Sequence, residues 1–156
     1  MSREVEVLYV GQNEPEYANP GDAGADLRSA ENVSLAPGER KTIATGLSIA
    51  LPDGFVAFIV PRSGLAAKHG ITIVNSPGTV DAGYRGEIKI TLLNTDTNQS
   101  FEVLEGDRIA QMVVMPVPKV RFLRVGSLPG SHRGSAGFGS TGVGEITKGE
   151  DFKAGK

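Results

Sequence analysis

The sequence predicts an all-β fold within one domain, and three observations support this prediction. Short runs of apolar or alternating residues recur along the 156-residue chain. Clusters of Gly, Pro, Asp and Asn, the usual turn formers, separate these runs. The one segment with helical character covers about one turn, which is too short to organise a fold. Together these features are typical of a β-sandwich, a jelly roll or a barrel.

Eight runs are predicted to form strands, because each is apolar or alternating and is bounded by turn-forming residues. In chain order they are residues 5–10, 41–44, 47–51, 55–60, 71–74, 87–94, 109–117 and 120–125. The helical segment, residues 65–69, lies between the fourth strand and the fifth. A chain of this length can bury a core without disulfides, but it leaves no room for a second full domain.

The composition changes near Gly126, where Gly, Ser, Thr and charged residues replace most of the apolar ones. We therefore expect a β-domain over residues 1–125 and a flexible C-terminal tail over residues 126–156. Arg133 and Phe138 stand out within this glycine-rich tail. A guanidinium group and an aromatic ring are suited to clamping a phosphorylated base.

Composition and charge exclude several classes of function. The net charge is −2, from 16 basic and 18 acidic residues, so we expect neither nucleic acid nor a membrane surface as a partner. The absence of cysteine excludes disulfides, thiolate zinc sites and a cysteine nucleophile. The two histidines, His69 and His132, are too far apart for short-spaced zinc patterns. Without a signal peptide or a membrane-spanning run, we expect a cytoplasmic protein.

The segment PRSGLA, residues 61–66, follows an apolar strand and opens the short helical turn. Backbone N–H groups at such a turn, together with the Ser63 hydroxyl, can cradle phosphate oxygens, and Arg62 can add positive charge. The alternative is an ordinary connection between a strand and a helix, with serine as the helix cap. This segment by itself favours the alternative.

The segment NSPGTVDAGYRGE, residues 75–87, lies between two predicted strands and has the character of a long hairpin. Its backbone can present donors and acceptors to the edge of a base, Asp81 can accept a proton from water, and Tyr84 can pack on a sugar. The alternative is plain turn chemistry, in which Asp and Gly shape the hairpin and Tyr covers its base. By itself, this segment also favours the alternative.

Two shorter segments are ambiguous in the same way. In AGADL, residues 23–27, Asp26 can act near the water shell of a metal, or it can form a turn or pair with Arg28. In RIAQ, residues 108–111, the common expectation is an edge-strand arginine followed by a solvated glutamine. Neither segment decides between structure and chemistry by itself.

The order and identity of these segments carry more information than any of them separately. AGADL, PRSGLA, NSPGTVDAGYRGE, RIAQ and the tail segment RGSAGFGSTG (133–142) resemble the five motifs of the trimeric deoxyuridine triphosphatases (dUTPases). The match covers residues from about 20 to 142. The resemblance implies a jelly-roll-like dUTPase β-barrel and a hydrolase of nucleotide metabolism that converts dUTP to dUMP and pyrophosphate. It further implies Mg²⁺ as the cofactor and a homotrimer with shared active sites.

The resemblance also implies roles for individual residues. Asp81 matches the carboxylate that holds and deprotonates the attacking water, and Asp26 matches a residue that acts on the metal through water. Tyr84 matches the ring that packs under the deoxyribose and leaves no room for a 2'-hydroxyl group. The substrate-binding positions implied in this way are Arg62, Ser63, Gly64, Asn75, Gly78, Thr79, Val80, Tyr84, Lys89, Gln111, Arg133, Phe138 and Gly139.

Three other functions compete with this interpretation. A dCTP deaminase shares the fold and a related hairpin, but it needs a glutamate base, and this hairpin has Asp81 in the dUTPase arrangement. Loss of Asp81 or Arg133 would support a catalytically silent nucleotide sensor or interaction protein built on the same trimer, and both residues are present. An oligonucleotide-binding barrel is disfavoured by the charge and by the low content of aromatic residues.

Overall fold

The computed structural model describes residues 4–132, 134 and 135, which divide into a first unit up to residue 120 and a second unit from residue 121. Within these residues, all helices and strands belong to the first unit. The strands are β1 (Leu8–Val10), β2 (Ala25–Arg28), β3 (Val33–Leu35), β4 (Arg40–Ala50), β5 (Phe55–Val60), β6 (Ile71–Ile73), β7 (Gly78–Asp81), β8 (Glu87–Asn94), β9 (Phe101–Val103) and β10 (Arg108–Pro116). The one helix in the described part of the chain, α1, is Ser63–His69.

The strands form two four-stranded antiparallel sheets and one two-stranded ribbon. The first sheet has the order β1-β4-β8-β6, the second has the order β2-β10-β5-β7, and β3 pairs with β9. Among the described strands, no two neighbours within a sheet are consecutive in the chain, so the chain crosses repeatedly between the sheets. The predicted all-β class is therefore present, with α1 as a short connection after β5.

Alternation along the strands explains how the two sheets share a core. In β8, Ile88, Ile90 and Leu92 are buried, whereas the residues between them are more exposed. These side chains join buried residues of the second sheet, such as Ile59 and Met112, in one hydrophobic cluster. A period of two places every second side chain on the same face of a strand, so this pattern requires β8 to bury one face only.

Several predicted elements differ from the observed ones. The predicted strands 41–44 and 47–51 form one strand, β4, with a register irregularity between Ala44 and Ser48. Four short strands were missed because they have only three or four residues each, namely β2, β3, β7 and β9. The predicted strand 120–125 is wrong, since residues 121–125 form no strand within the described part of the chain. A strand needs a hydrogen-bonded neighbour, and alternating apolar residues do not supply one.

The irregularity in β4 is built around Gly46, which has a φ of +65°. This left-handed conformation is readily adopted by glycine because it lacks a Cβ atom. The Gly46 N–H donates to Glu87 Oε1 at 2.9 Å, and the hydroxyl of buried Thr45 donates to the Ile88 carbonyl. These two hydrogen bonds join the irregular part of β4 to the start of β8, which borders the cleft described below.

The described residues of the second unit, 121–132, 134 and 135, contain no helix and no strand. Phe122, Leu123 and Leu128 are large apolar side chains that are exposed in this single chain. As for membrane insertion, the described residues include no helix with the length and apolar character needed to cross a bilayer.

Candidate active site

The connection from β6 to β8 contains an additional strand, β7, and is not the long hairpin that the sequence predicted. β6 pairs with β8 in the first sheet, with Ile71 opposite Asn94. Between them the chain crosses to the second sheet, where β7 pairs with β5. Within the segment predicted to bind a base, residues 75–87, Gly78–Asp81 thus forms an edge strand of the second sheet, and Glu87 begins β8 of the first.

This crossing creates a cleft of about 180 Å³ between the two sheets. Seven of the residues that the sequence predicted for substrate binding or catalysis line it, namely Asn75, Gly78, Thr79, Val80, Asp81, Tyr84 and Lys89. Sequence reasoning missed the remaining lining residues, which are Ile59, Ile73, Glu87, Ile88 and Ile90. For the four isoleucines the only signal was alternation, which predicts burial but does not distinguish the wall of a cleft from the core.

Asp81 is the last residue of β7 and lies opposite Val56 of β5. Its side chain is exposed, and its backbone carbonyl accepts a hydrogen bond from the Tyr84 N–H at 3.0 Å. An exposed carboxylate beside an apolar wall can hold a water molecule and take its proton. The turn that follows Asp81 brings Tyr84 to the same cleft.

A second group of predicted residues surrounds Asp26 on β2, whose side chain is only 3% exposed. Arg62 Nε donates to Asp26 Oδ1 at 3.0 Å, and Gln111 Nε2 donates to the same oxygen at 3.3 Å. Arg108 donates to Oδ2 at 3.2 Å. Two cations and an amide therefore compensate the buried carboxylate, as a buried charge requires.

These contacts correct three alternatives considered from the sequence. Asp26 does not pair with Arg28, which instead contacts Glu16 at 3.2 Å. Arg108 is not on an edge strand, because β10 lies between β2 and β5. Gln111 bonds to Asp26 and is not simply solvated.

The serine cap considered for PRSGLA is also absent. The N-cap residue of α1 is Arg62, it has extended backbone angles, and no side chain caps the helix. Ser63 and Gly64 are exposed at the first turn. Gly70, with a φ of 64°, ends the helix in the left-handed conformation that commonly terminates helices.

The Asp26 group and the cleft lie apart in the single chain. Gln111 is opposite Val60 of β5, whereas Asp81 is opposite Val56, four positions earlier. Four residues span about 13 Å along a strand, and the two strands that flank β5 are about 10 Å apart, so the separation is about 16 Å. None of Arg62, Ser63, Gly64 and Gln111 lines the cleft.

The carboxylate groups of the described residues meet only some of the requirements of a hard cation such as Mg²⁺. The described residues contain no group of three or more His, Cys, Asp or Glu side chains that could hold a metal. Asp26 Oδ2 accepts a bond from Arg108, and a carboxylate oxygen has capacity for two acceptor contacts. Mg²⁺ usually keeps several waters and binds through one or two carboxylates with substrate phosphates, so one such carboxylate fits its preference. Arg133, Phe138 and Gly139 lie outside the described residues.

Replacing Asp26 with Asn is expected to destabilise the protein by about 1–3 kcal/mol, because Arg62 and Arg108 lose their shared anion. The matched control is Glu16→Gln, which removes the exposed ion pair to Arg28 and should cost less than about 1 kcal/mol. Urea unfolding of both variants measures the difference. Equal midpoints for the two variants would show that the buried pairs do not contribute to stability.

The two sheets, with a cleft along the edge strand β7, define an all-β protein of two antiparallel sheets. The family model described as dUTPase matches residues 12–142. The chain belongs to the dUTPase family.

Relatives with high sequence identity support this assignment. The chain is 59% identical over 150 residues to the deoxyuridine 5'-triphosphate nucleotidohydrolase of Leifsonia xyli, covering 96% of this chain and 99% of the relative. It is 64% identical over 128 residues to the protein of the same name from Thermobifida fusca, covering 82% of this chain and 72% of the relative. The match to these relatives extends over most of the chain.

Solved structures agree with the fold. The chain is similar to the dUTPase of Staphylococcus bacteriophage 80alpha solved with dUPNHPP, with a TM-score of 0.82 and 30% identity, covering 88% of this chain and 99% of that one. The chain is also similar to a mutant dUTPase from phage phi11 of S. aureus, with a TM-score of 0.73 and 26% identity, covering 80% of this chain and 99% of that one. That structure shows the coordination of a structural Mg(II) ion. The predicted all-β, dUTPase-like fold is therefore confirmed.

Proposed function

We propose that this chain hydrolyses dUTP to dUMP and pyrophosphate, with Asp81 activating the water that attacks the α-phosphorus. The observation that carries the proposal is the cleft itself. In a chain of the dUTPase family, it combines the exposed Asp81 carboxylate with Asn75, Tyr84 and the edge strand β7. The reaction limits uracil in DNA and supplies dUMP for thymidylate synthesis.

Recognition of uracil follows from the position of β7 in its sheet. β7 is an edge strand that pairs with β5 on one side only. An edge strand presents backbone N–H and C=O groups along its outer side. Gly78, Thr79 and Val80 can pair in this way with the polar edge of uracil, and cytosine presents mismatched donors and acceptors. Asn75 adds an amide beside the same edge.

Three features prepare the chemical step. Asp81 holds a water molecule and takes its proton, a contribution of about 10²- to 10⁴-fold in rate. Tyr84 packs under the deoxyribose and excludes a 2'-hydroxyl group. Lys89 lines the same cleft with its ammonium group 3.6 Å from Glu87 Oε2, and in this proposal its side chain borders the bound nucleotide.

The triphosphate is bound by Arg62, Ser63, Gly64 and Gln111. Asp26 supports this group by holding Arg62 and Gln111 in place, with donor distances of 3.0 and 3.3 Å. Mg²⁺ would supply charge neutralisation on the phosphates, and Asp26 would act on it through water. The buried ion pairs keep the guanidinium of Arg62 positioned before substrate arrives, which lowers the cost of ordering it.

A homotrimer with shared sites accounts for the separation of about 16 Å between Gln111 and Asp81. A second copy can bring its phosphate-binding group next to the cleft of the first. Exposed apolar residues on β1 support self-association, since Leu8 is 73% and Val10 is 76% exposed. Beside β1, a groove of about 850 Å³ is lined largely by apolar residues such as Val7, Ile49 and Val114. Exposed apolar surface of this kind commonly marks a subunit interface.

We extend the proposal to the tail. In this proposal residues 1–125 form the β-domain, and the glycine-rich motif within residues 126–156 closes over the bound nucleotide. Arg133 contacts the terminal phosphate, while Phe138 stacks on uracil next to Gly139. Closure excludes bulk water and so strengthens the electrostatic contacts to the reacting phosphate. We place the enzyme in the cytoplasm.

A substrate panel tests the proposal directly. The purified protein is incubated with Mg²⁺ and with dUTP, dCTP, UTP or dTTP, and the products are identified by chromatography. Rapid formation of dUMP and pyrophosphate from dUTP alone is expected, with loss of turnover when the metal is chelated. Ammonia release from dCTP would instead indicate a deaminase, and no turnover of any nucleotide would indicate a binding protein.

A further inference from the structure

The ring of Tyr84 lies directly against Gly86. A Cβ atom placed on Gly86 would be 2.5 Å from the Tyr84 hydroxyl oxygen, 2.7 Å from Cζ and 3.0 Å from Cε2. Atoms that are not bonded to each other do not approach this closely in packed proteins. The ring can therefore occupy its observed position only because residue 86 has no side chain.

The requirement at Gly86 concerns space and not backbone conformation. Gly86 is not among the glycines with a positive φ. An alanine could therefore adopt the same backbone, and a Gly86→Ala variant changes only the room available to the ring. Gly83 in the same turn also lacks a positive φ, and no atom lies within 4 Å of the position that a Cβ atom would take there.

Few contacts other than Gly86 hold the Tyr84 ring. The side chain is 46% exposed, so core packing does not fix it. Its hydroxyl group donates to the Glu87 carbonyl at 2.9 Å, and its backbone N–H donates to the Asp81 carbonyl at 3.0 Å. The side chain of Glu87 accepts a hydrogen bond from the Gly46 N–H, so Glu87 is connected to the irregular part of β4. The ring is thus anchored at its tip and at its backbone, with Gly86 beneath it.

We propose that Gly86 is a positioning residue that sets sugar selectivity by letting the Tyr84 ring lie close to the backbone between β7 and β8. This inference rests on the proposed function, in which Tyr84 packs against deoxyribose. A methyl group at residue 86 displaces the ring outward and breaks the bond to the Glu87 carbonyl. The displaced ring no longer fills the space beside the 2' carbon, so a ribonucleotide fits.

The kinetic test compares Gly86→Ala with Gly83→Ala. The ratio of kcat/KM for dUTP to kcat/KM for UTP is measured for both variants and for the unmodified protein. Rejection of one added hydroxyl group is typically worth about 10²-fold, so the ratio is expected to fall at least about tenfold in Gly86→Ala. It should not change in Gly83→Ala. Because the exposed ring can move into solvent, the thermal midpoint of Gly86→Ala should stay close to that of Gly83→Ala.

A second readout does not depend on catalysis. The ring signals of Tyr84 are followed by NMR in protein with isotope-labelled tyrosine, and they are assigned by their loss in a Tyr84→Phe variant. We expect them to shift in Gly86→Ala and to stay in place in Gly83→Ala. Unshifted signals would overturn the inference even if the protein hydrolysed dUTP normally.

The two readouts separate failure of this inference from failure of the proposed function. Shifted signals with unchanged sugar selectivity would mean that Gly86 does not set selectivity, which also overturns the inference. Absence of dUTP turnover in the unmodified protein would overturn the proposed function. In that case the NMR comparison, repeated with dUMP and UMP as ligands, still decides whether Gly86 controls the ring and the preference for deoxyribose.

Discussion

Replacing Asp81 with Asn is expected to lower the turnover of dUTP at least about 10²-fold while leaving dUTP binding nearly unchanged. The amide can still hold the attacking water, but it cannot accept the proton that the water must lose. The backbone of the turn after β7 should not change, because the carbonyl of residue 81 and not its side chain accepts from the Tyr84 N–H. The variant therefore separates proton transfer from the shape of the site.

The measurement combines steady-state kinetics with the binding of dUTP to the inactive variant by calorimetry. Asp53→Asn is the matched control, since Asp53 is also exposed and lies in the turn between β4 and β5. It should retain full activity. Turnover of the Asp81→Asn variant near that of the control would remove Asp81 from the role of general base.

Truncation of the chain after His132 is expected to abolish most dUTP turnover while leaving a folded trimer. The truncation removes Arg133, Phe138 and Gly139, which the proposal assigns to closure over the nucleotide, and it removes no strand of the β-domain. Activity, thermal stability and the mass of the assembly by light scattering are measured together. An unfolded truncated protein would contradict the assignment of these residues to a separate tail.

A mixture of two inactive variants tests whether the sites are shared. In the proposed assembly each site takes its hairpin from one subunit, its phosphate-binding motifs from a second and its tail from a third. When Asp81→Asn and the truncated chain are refolded together in equal amounts, a site recovers if its hairpin comes from the truncated chain and its tail from the other variant. Each condition holds half of the time, so about one site in four should be active.

A model in which each site is built from a single chain predicts a different activity for the mixture. If one chain built a whole site, every site in the mixture would carry one of the two defects, and activity would stay at the level of the parents. Exchange of subunits is verified by mass spectrometry of differently tagged variants. Parental activity in a mixture with proven exchange would exclude the shared-site model.

The sequence by itself determined the class of fold and most of the cleft. The residues predicted for β5 and β8 match the observed strands, because alternation and flanking turn residues act locally. The order of the five motifs, from AGADL to the tail, identified the family that the comparisons confirm. Asn75, Asp81 and Tyr84 were predicted for one site, and they line one cleft because they lie within ten residues on a single connection.

Only the tertiary structure decided what Asp26 contacts. Arg62 is 36 positions away in the chain and Arg108 is 82 positions away. Which side chain meets Asp26 depends on the register of β10 against β2, where Gln111 lies opposite Asp26. A shift of one residue in that register would turn the partners to the other face of the sheet, and local sequence carries no record of this choice.

Local sequence likewise does not determine what packs against Gly86 or which strand β7 pairs with. Glycine in a hairpin is expected for turn chemistry, and the sequence does not show that a ring 2.5–3.0 Å from where a Cβ atom would lie excludes every other residue. Likewise, Gly78–Asp81 has the composition of a turn, yet it pairs with β5 in the other sheet. Local propensity determined which residues extend and which turn, whereas packing between distant segments decided which strands pair and where their side chains meet.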